Sequence, residues 1–247
     1  RVPEKEVEQR VREVLRIIDL GAPPEGRARG LTADQKQKIA LGRGLVRADV
    51  SAILFDEPLT VIDPQMKWEL RSQLKLLHRK FAHTMVYVTH DQTEALTFAE
   101  RVVVMYEGEI VQVGTPEELF ARPEHTFVGY FIGSPGMNVL PIEVEGTRAR
   151  IADQEIALPG APAVRGRAEL GVRPEFVRFA PDGLPVSVRR VEDLGRHRVV
   201  RAALGPHELA AILPEGVPLP NEPRVRFEPE GMHIYAGSCR VAMEAQP

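Results

Sequence analysis

The hexapeptide Ile-Leu-Phe-Asp-Glu-Pro at residues 53–58 decides how the first half of this chain is expected to fold. A short apolar run that ends in two acids is typical of a fully buried strand in a parallel sheet. Open parallel sheets bind their ligands at the C-terminal ends of the strands, so Asp56 and Glu57 are candidates for ligand chemistry. A strand end followed by a helix cap is the commoner explanation of an isolated Asp-Glu pair.

The sequence around this strand predicts helices and strands in alternation, which indicates an α/β layer with a parallel sheet. Asp63-Pro64 has the composition of a helix start. Asp91 with Glu94, and Thr115 with Glu118, have the spacing of capping boxes. The predicted helices cover residues 3–20, 32–47 and 64–80, and the predicted strands cover 51–56, 85–89, 101–105 and 110–113.

The pattern changes at Gly-Ser-Pro-Gly, residues 133–136. Beyond it, short β-prone runs separated by Pro and Gly predict a small β-barrel or sandwich. The stretches 138–180 and 184–243 are candidates for two similar small units. The predicted strands cover 149–156, 168–172, 186–191, 199–204 and 225–227.

Composition limits the possible classes of protein. The 247 residues suffice for one large domain or two modest ones, and 43% hydrophobic with 27% charged residues is an ordinary globular profile. A net charge of -3 argues against a broadly basic surface for nucleic acid. Cys239 is the single cysteine, which excludes an internal disulfide. No apolar run reaches the ~18 residues of a membrane-spanning helix, so a membrane role would act through partners.

Two further segments carry candidate functional residues. His90 directly follows a predicted strand, where an imidazole could donate to a developing phosphoryl charge, although a loop histidine is the commoner case. The run 31–38 begins a helix, and helix N-termini present N–H groups to anions. Capping by Thr32 or Asp34 is the simpler explanation of that run. The order helix start, Asp56-Glu57, Asp63 and His90 is nevertheless a specific series.

That series resembles the second half of ATP-binding cassette (ABC) ATPases over about residues 1–135. Residues 31–35 stand where that family has its Leu-Ser-Gly-Gly-Gln signature, and residues 53–58 resemble its Walker B strand with the catalytic glutamate. Residues 60–63 resemble the D-loop, and residues 87–92 resemble the switch-histidine region.

Other segments resemble the carbohydrate-importer branch of maltose and glycerol-3-phosphate type. They are residues 113–116, 131–138 and 171–175. In that branch OB-like units of the TOBE/MOP type follow the ATPase and serve dimer contact and regulation. The resemblance thus implies a partial P-loop NTPase-type parallel-sheet domain at 1–135 and a small all-β OB-like regulatory domain at 136–247.

The resemblance also implies roles for individual residues. Glu57 would act on the attacking water, and His90 would contact the γ-phosphate of ATP. Asp56 would assist Mg²⁺, and Asp63 would lie at a subunit interface. The implied cofactors are ATP and Mg²⁺.

The signature segment would face ATP bound by a second ATPase subunit. Its residues are Thr32, Ala33, Asp34 and Gln35. Ala33 and Asp34 stand where the family has two glycines, which allow close backbone approach to phosphate. An aspartate that faced the nucleotide would repel it. The composite site that uses this signature is therefore a candidate for a weakened one.

The implied protein is the ATP-hydrolysing motor of an importer for a sugar or polyol, of glycerol or glycerol-3-phosphate type. Its partners would be a second ATPase subunit in a homo- or heterodimer, integral membrane permease subunits and, indirectly, a solute-binding protein, with no nucleic acid. It would lie peripherally on the cytoplasmic face of the inner membrane.

The 247 residues contain no Gly-x-x-x-x-Gly-Lys-Ser/Thr loop, which holds ATP phosphates in this family. The first residue is Arg1, and we expect that loop and the glutamine loop to lie upstream. The chain alone is therefore expected to bind ATP poorly and to hydrolyse none. Missing sheet strands would leave apolar sheet surface exposed.

Three alternatives remain. A degenerate, non-catalytic or regulatory subunit of an asymmetric importer would explain Asp34, although Glu57 and His90 argue against it. A chromosome or repair ATPase would need long heptad arms and a basic face, and the sequence shows neither. An anion-binding module similar to molybdate-binding domains would need a basic ligand cluster. Its candidate arginines are instead expected to be solvated surface or dimer contacts: Arg173, Arg189, Arg190 and Arg196.

Overall fold

The strand that ends in Asp56 pairs in parallel with the strand that precedes His90. These strands are β1 (Ala52–Asp56) and β2 (Thr84–Val88), and Asp56 lies opposite Val88 in their register. Parallel pairing brings the C-terminal ends of both strands to one edge of the sheet. The edge expected from the sequence is therefore present.

The computed structural model describes residues 2–20, 29–47, 50–81 and 84–245, except the side chains of residues 34, 65, 77, 80, 81 and 245. The chain divides into two units, residues 1–99 and 100–247. The boundary expected near residue 135 falls inside the second unit, and a functional division at that residue stays a prediction. Within the described ranges, no helix combines the length and apolar character needed to cross a membrane.

Helices of the first unit pack on one face of β1 and β2. They are α1 (Glu4–Ile17), α2 (Ala33–Leu45), α3 (Pro64–Phe81) and α4 (Gln92–Phe98). The core of this unit joins Ile53 and Phe55 of β1 to Leu70 and Leu74 of α3. Gly42 allows α1 and α2 to approach closely, because a Cβ there would lie 3.1 Å from the Val14 side chain.

The other face of this small sheet is exposed, so the expectation of a fully buried strand is wrong for that face. Leu54 is 75% exposed, and Val86 and Val88 are exposed as well. Side chains alternate between the faces of a strand, and the core of this unit lies on the Ile53 and Phe55 side only. The sheet thus has the exposed apolar surface that the sequence predicted.

The second unit begins with an antiparallel hairpin, which confirms the strands predicted at 101–105 and 110–113. Strand β3 (Val102–Tyr106) pairs with β4 (Glu109–Gly114), and helices α5 (Pro116–Ala121) and α6 (Thr126–Phe131) follow. Thr115 and Glu118 form the predicted capping box at the start of α5. A two-residue turn at Glu107 and Gly108 joins these strands, and such a turn makes them antiparallel neighbours.

The β-rich region is confirmed, but the stretches 138–180 and 184–243 do not form separate sheets. One six-stranded sheet takes strands from both stretches, because residues 138–172 and residues 232–240 both contribute to it. One apolar core also spans both stretches. The strands of this region are β5 (Asn138–Glu145), β6 (Arg148–Ile151), β7 (Gln154–Ala157), β8 (Gly160–Pro162), β9 (Gly166–Val172), β10 (Val177–Pro185), β11 (Ser187–Asp193), β12 (His197–Leu204), β13 (His207–Pro214), β14 (Arg224–Phe227), β15 (Met232–Ala236), β16 (Cys239–Arg240) and β17 (Met243–Ala245). The six-stranded sheet has the order β16-β15-β9-β5-β6-β7. Two 3₁₀ helices lie at Pro174–Phe176 and Pro229–Gly231.

A buried amide joins these two stretches. Asn138 of β5 is 8% exposed. Its Nδ2 donates to the carbonyl oxygen of Ala210 at 2.9 Å, and its Oδ1 accepts from the Ala210 amide at 2.7 Å. One side chain therefore binds both backbone groups of Ala210, a buried residue of β13.

Arg173 is a buried structural residue, so the expectation that it is solvated surface or a dimer contact is wrong. It is 3% exposed. Its Nε donates to the Phe120 carbonyl at 2.7 Å, and its Nη1 donates to the Ile132 carbonyl at 2.5 Å. The guanidinium also lies 3.9 Å from the Phe120 ring centroid. Burial lowers the pKa of Arg173 from its usual value, and the carbonyls at the ends of α5 and α6 compensate for the lost hydration.

Replacing Asn138 by Asp tests the bridge to β13. A carboxylate cannot donate to the Ala210 carbonyl, so we expect a loss of about 1–3 kcal/mol in the free energy of unfolding, measured by urea denaturation. Asn221→Asp is the matched control, because Asn221 is exposed. Equal stability of the two variants would contradict the structural role of Asn138.

Replacing Arg173 by Lys tests the buried guanidinium. A lysine cannot present the planar fork that reaches several carbonyls, so we expect a loss of at least about 2 kcal/mol in the free energy of unfolding. The exposed Arg189→Lys should change it by less than about 0.5 kcal/mol. A loss below about 0.5 kcal/mol for Arg173→Lys would show that the guanidinium bonds to these carbonyls do not stabilise the fold.

Candidate functional site

Glu57 leaves the end of β1 in a left-handed backbone conformation, with φ of 50°. Its amide donates to the Val88 carbonyl at 2.9 Å, which fixes it beside the end of β2. Positive φ is uncommon for residues other than glycine and persists only where the surroundings impose it. Here the conformation accompanies a carboxylate that reaches His90.

The Glu57 carboxylate is held through both of its oxygens. Its Oε1 lies 2.6 Å from Nδ1 of His90, although the two residues are 33 positions apart in the sequence. Its Oε2 accepts from the Thr60 hydroxyl at 2.7 Å. An ionised carboxylate can only accept, so Nδ1 carries the proton and Nε2 of His90 remains for a ligand.

The loop that follows Glu57 is anchored by apolar side chains. Pro58, Leu59 and Ile62 are buried, whereas Thr60 and Val61 are exposed. The Glu57 carbonyl, 3.4 Å from the Thr60 amide, accepts in this tight turn. The buried residues therefore hold the loop in place without covering the Glu57 carboxylate.

Glu57 and His90 shift each other's pKa in opposite directions. The hydrogen bond to His90 and the one from Thr60 lower the pKa of Glu57 from its usual 4.5. The hydrogen bond to Glu57 and its negative charge raise the pKa of His90 from its usual 6.5. Both groups face solvent, so salt weakens their attraction.

The pair contributes to stability within a defined pH window. The contribution of His90 is complete below pH 6.5 and is lost as pH rises through its raised folded-state pKa. The contribution of Glu57 is complete above pH 4.5 and is lost as pH falls through its lowered folded-state pKa. Both contributions to stability are therefore complete together between pH 4.5 and pH 6.5.

A buried carboxylate supports the segment that carries His90. Glu94 is 2% exposed and accepts from the Thr89 hydroxyl at 3.0 Å and from the Tyr87 hydroxyl at 2.8 Å. It also pairs with Lys67 of α3 at 3.1 Å. Burial, and next the bond to Glu94, raise the pKa of Tyr87 well above its usual range. The residues on either side of His90 are thus tied to α3 and α4.

This network corrects the expected capping box at the start of α4. Asp91 does cap the helix, because its Oδ1 accepts from the amides of Thr93 and Glu94. The Glu94 side chain does not return to the cap and instead enters the buried network. Its sequence spacing fits both arrangements, and the hydroxyls of Tyr87 and Thr89 favour the second.

Asp56 stands at the C-terminal end of β1 and is exposed. A single exposed carboxylate fits Mg²⁺, which prefers oxygen ligands and keeps several waters. The described part of the chain contains no group of three His, Cys, Asp or Glu side chains that could hold a metal by themselves. Mg²⁺ at Asp56 would therefore need oxygens from water and substrate. Asp63 is exposed and immediately precedes α3.

The signature-like segment forms the first turn of α2. The Thr32 hydroxyl accepts from the Gln35 amide, and the Gln35 side chain accepts from the Thr32 amide, which makes a complete capping box. These two side chains therefore provide hydrogen-bond acceptors for two backbone amides at the start of the helix. Ala33 begins α2, and the Asp34 side chain lies outside the described residues.

Gln37 is a site residue that sequence reasoning missed. Its carboxamide contacts the loop at Glu57 and Val61 from α2. The sequence showed only a carboxamide in a predicted helix, and the structure shows that this position is half-buried, where an amide requires partners. The partner loop is 20 to 24 residues away and could not be identified from the sequence.

Known proteins resemble most of this chain. The chain is 40% identical over 221 residues to the uncharacterized ABC transporter ATP-binding protein y4oS of Sinorhizobium fredii, covering 87% of this chain and 59% of the relative. It is 38% identical over 251 residues to the sn-glycerol-3-phosphate import ATP-binding protein UgpC of Chromobacterium violaceum, covering 97% and 67%. The chain belongs to the ABC transporter ATP-binding proteins.

A third member of this family widens the range of named solutes. The sulfoquinovosyl glycerol transport ATP-binding protein SmoE of Agrobacterium fabrum is 40% identical, covering 83% of this ABC chain and 60% of the relative. The chain spans 59% to 67% of the length of these three relatives. No family model matches it.

Replacing Glu57 by Gln tests the pair in this ABC chain. A neutral amide removes the negative charge beside the imidazole, so the pKa of His90 should fall toward 6.5. NMR titration of the His90 ring signals in the 247-residue chain measures this shift. Glu69→Gln, which removes an exposed carboxylate from α3, is the control and should leave the His90 titration unchanged. An unchanged pKa in Glu57→Gln would show that the two side chains do not pair in solution.

Proposed function

We propose that this chain is part of the ATP-hydrolysing motor subunit of an ABC importer. The observation that carries the proposal is the 2.6 Å contact between Glu57 and His90 at the edge where β1 and β2 end. Open parallel sheets bind ligands at that edge. Membership of the ABC ATP-binding family makes nucleotide the expected ligand there.

Glu57 would accept the proton of the water that attacks the γ-phosphorus of ATP, as the bond to the ADP oxygen breaks. Its lowered pKa keeps it ionised at neutral pH but also makes it a weak base. Phosphoryl transfer depends mainly on positioning and electrostatic stabilisation, so a weak base held in place suffices. The contacts with His90 and Thr60 would therefore orient the carboxylate toward the water.

His90 would donate from Nε2 to the terminal phosphate. The bond between Nδ1 and Glu57 fixes the tautomer and favours a protonated ring. A positive imidazole would stabilise the charge that develops on the phosphoryl oxygens. Mg²⁺ held near Asp56 would neutralise phosphate charge when bound.

A sugar or polyol of glycerol or glycerol-3-phosphate type is the proposed cargo. The relatives named for sn-glycerol-3-phosphate import and sulfoquinovosyl glycerol transport support this class. The proposed partners are a second ATPase subunit, integral membrane permease subunits and a solute-binding protein. The complex would place this subunit on the cytoplasmic face of the inner membrane, with residues 136–247 as an OB-like regulatory domain.

Asp34 favours a second candidate function, a degenerate or regulatory subunit of an asymmetric importer. It occupies the position of a signature glycine. Asp34→Gly in the complete transporter would raise the ATPase rate if the aspartate repels nucleotide. An unchanged rate would show that Asp34 faces away from it.

Replacing Glu57 by Gln in the complete transporter tests the motor function. Loss of the proton acceptor should lower the ATPase rate by roughly 10²-fold or more, and transport should fall with it. Glu69→Gln is the control and should keep the full rate. A Glu57→Gln transporter that hydrolyses ATP within about twofold of the unmodified rate would favour the regulatory alternative. The 247-residue chain alone is expected to show no hydrolysis in the same assay.

A further inference from the structure

The side chain of Gln37 makes two hydrogen bonds to the loop that begins at Glu57. Its Nε2 donates to the Glu57 carbonyl at 3.0 Å, and its Oε1 accepts from the Val61 amide at 3.2 Å. Both ends of one carboxamide thus hold the two ends of a five-residue loop. We call this pair of bonds the Gln37 bracket.

The bracket acts at the point where the backbone of Glu57 is unusual. Glu57 has φ of 50°, a region that L residues rarely adopt. Its amide is fixed by the Val88 carbonyl, and its carbonyl is fixed by Gln37 and by the Thr60 hydroxyl at 3.1 Å. Contacts on both peptide groups are what a strained conformation needs in order to persist.

A glutamine is chemically suited to this position. The bracket needs one donor and one acceptor at the end of the same side chain, and a carboxamide has both. A glutamate would keep an acceptor for Val61 but would lose the donor to Glu57. A leucine of similar size would lose both bonds.

We propose that Gln37 is a positioning residue for Glu57, because its bracket sets the backbone from which the Glu57 carboxylate reaches His90. The proposal rests on the proposed function, in which Glu57 acts on the attacking water. Gln37 lies on α2, so the direction of the Glu57 carboxylate depends on where the beginning of α2 sits against the end of β1. The Gln37 side chain bonds to the backbone of Glu57 and of Val61, so it acts on the carboxylate through the Glu57 backbone.

The structural part of the test needs no ATPase activity. In Gln37→Leu, the Val61 amide loses its acceptor, so its hydrogen exchange, measured by NMR on the 247-residue chain, should accelerate at least tenfold. The Val46 amide, which donates to Gly42 within the last turn of α2, should exchange at its original rate. An unchanged Val61 rate would overturn the bracket.

Gln37→Glu tests the two bonds separately, and it replaces Gln37→Leu as the test if the leucine variant fails to fold. The glutamate variant should keep the Val61 amide protected and lose the bond to the Glu57 carbonyl. Gln112→Leu is the matched control, because Gln112 makes a similar pair of bonds, to the Arg122 carbonyl and from the Glu124 amide, in the second unit. It should not change Val61 exchange.

The catalytic part of the test uses the complete transporter. Gln37→Leu and Gln37→Glu should lower kcat at least tenfold, with the KM for ATP within about twofold, and Gln112→Leu should change neither. The double variant Gln37→Leu, Glu57→Gln should have a kcat no lower than that of Glu57→Gln alone, because Gln37 has no carboxylate left to position. A normal kcat in both Gln37 variants, with Glu57→Gln inactive, would overturn the positioning role alone. A normal kcat in Glu57→Gln would overturn the proposed function, whatever the Val61 exchange rate shows.

Discussion

The parallel pairing of β1 with β2 is the constraint on which the candidate site depends. Parallel strands in register end at one edge, so Glu57 and His90 meet although 33 positions separate them. The bond from the Glu57 amide to the Val88 carbonyl extends this pairing by one residue beyond β1. Both residues lie beyond the last strand pair, Asp56 with Val88, so a shift in the register would change the distance between Glu57 and His90 along this edge.

Local patterns predicted the elements whose causes are local. Helical periodicity predicted α1 and α2, Asp63-Pro64 predicted the start of α3, and Thr115 with Glu118 predicted the cap of α5. Apolar runs predicted β1 and β2, and the side chains just beyond their ends were identified as the candidate site. These features depend on residues within about one helical turn or one strand, which a single sequence contains.

The features that the sequence did not predict depend on distant partners. Arg173 looked like a surface residue, because nothing in its neighbourhood shows that carbonyls some 40 to 55 positions earlier will surround it. The Gln37 bracket and the network around Glu94 likewise join polar groups across different elements.

The interleaved six-stranded sheet has a consequence for biosynthesis. Strand β9 lies between β5 and β15, and β15 is synthesised only after the five strands β10 to β14 that follow β9 in the chain. The nascent chain therefore exposes one edge of β9, with its hydrogen-bonding groups, until translation has passed residue 236. This sheet therefore cannot be completed while β10 to β14 are being synthesised. During that time the unpaired edge of β9 is accessible to chaperones and to pairing with other nascent chains.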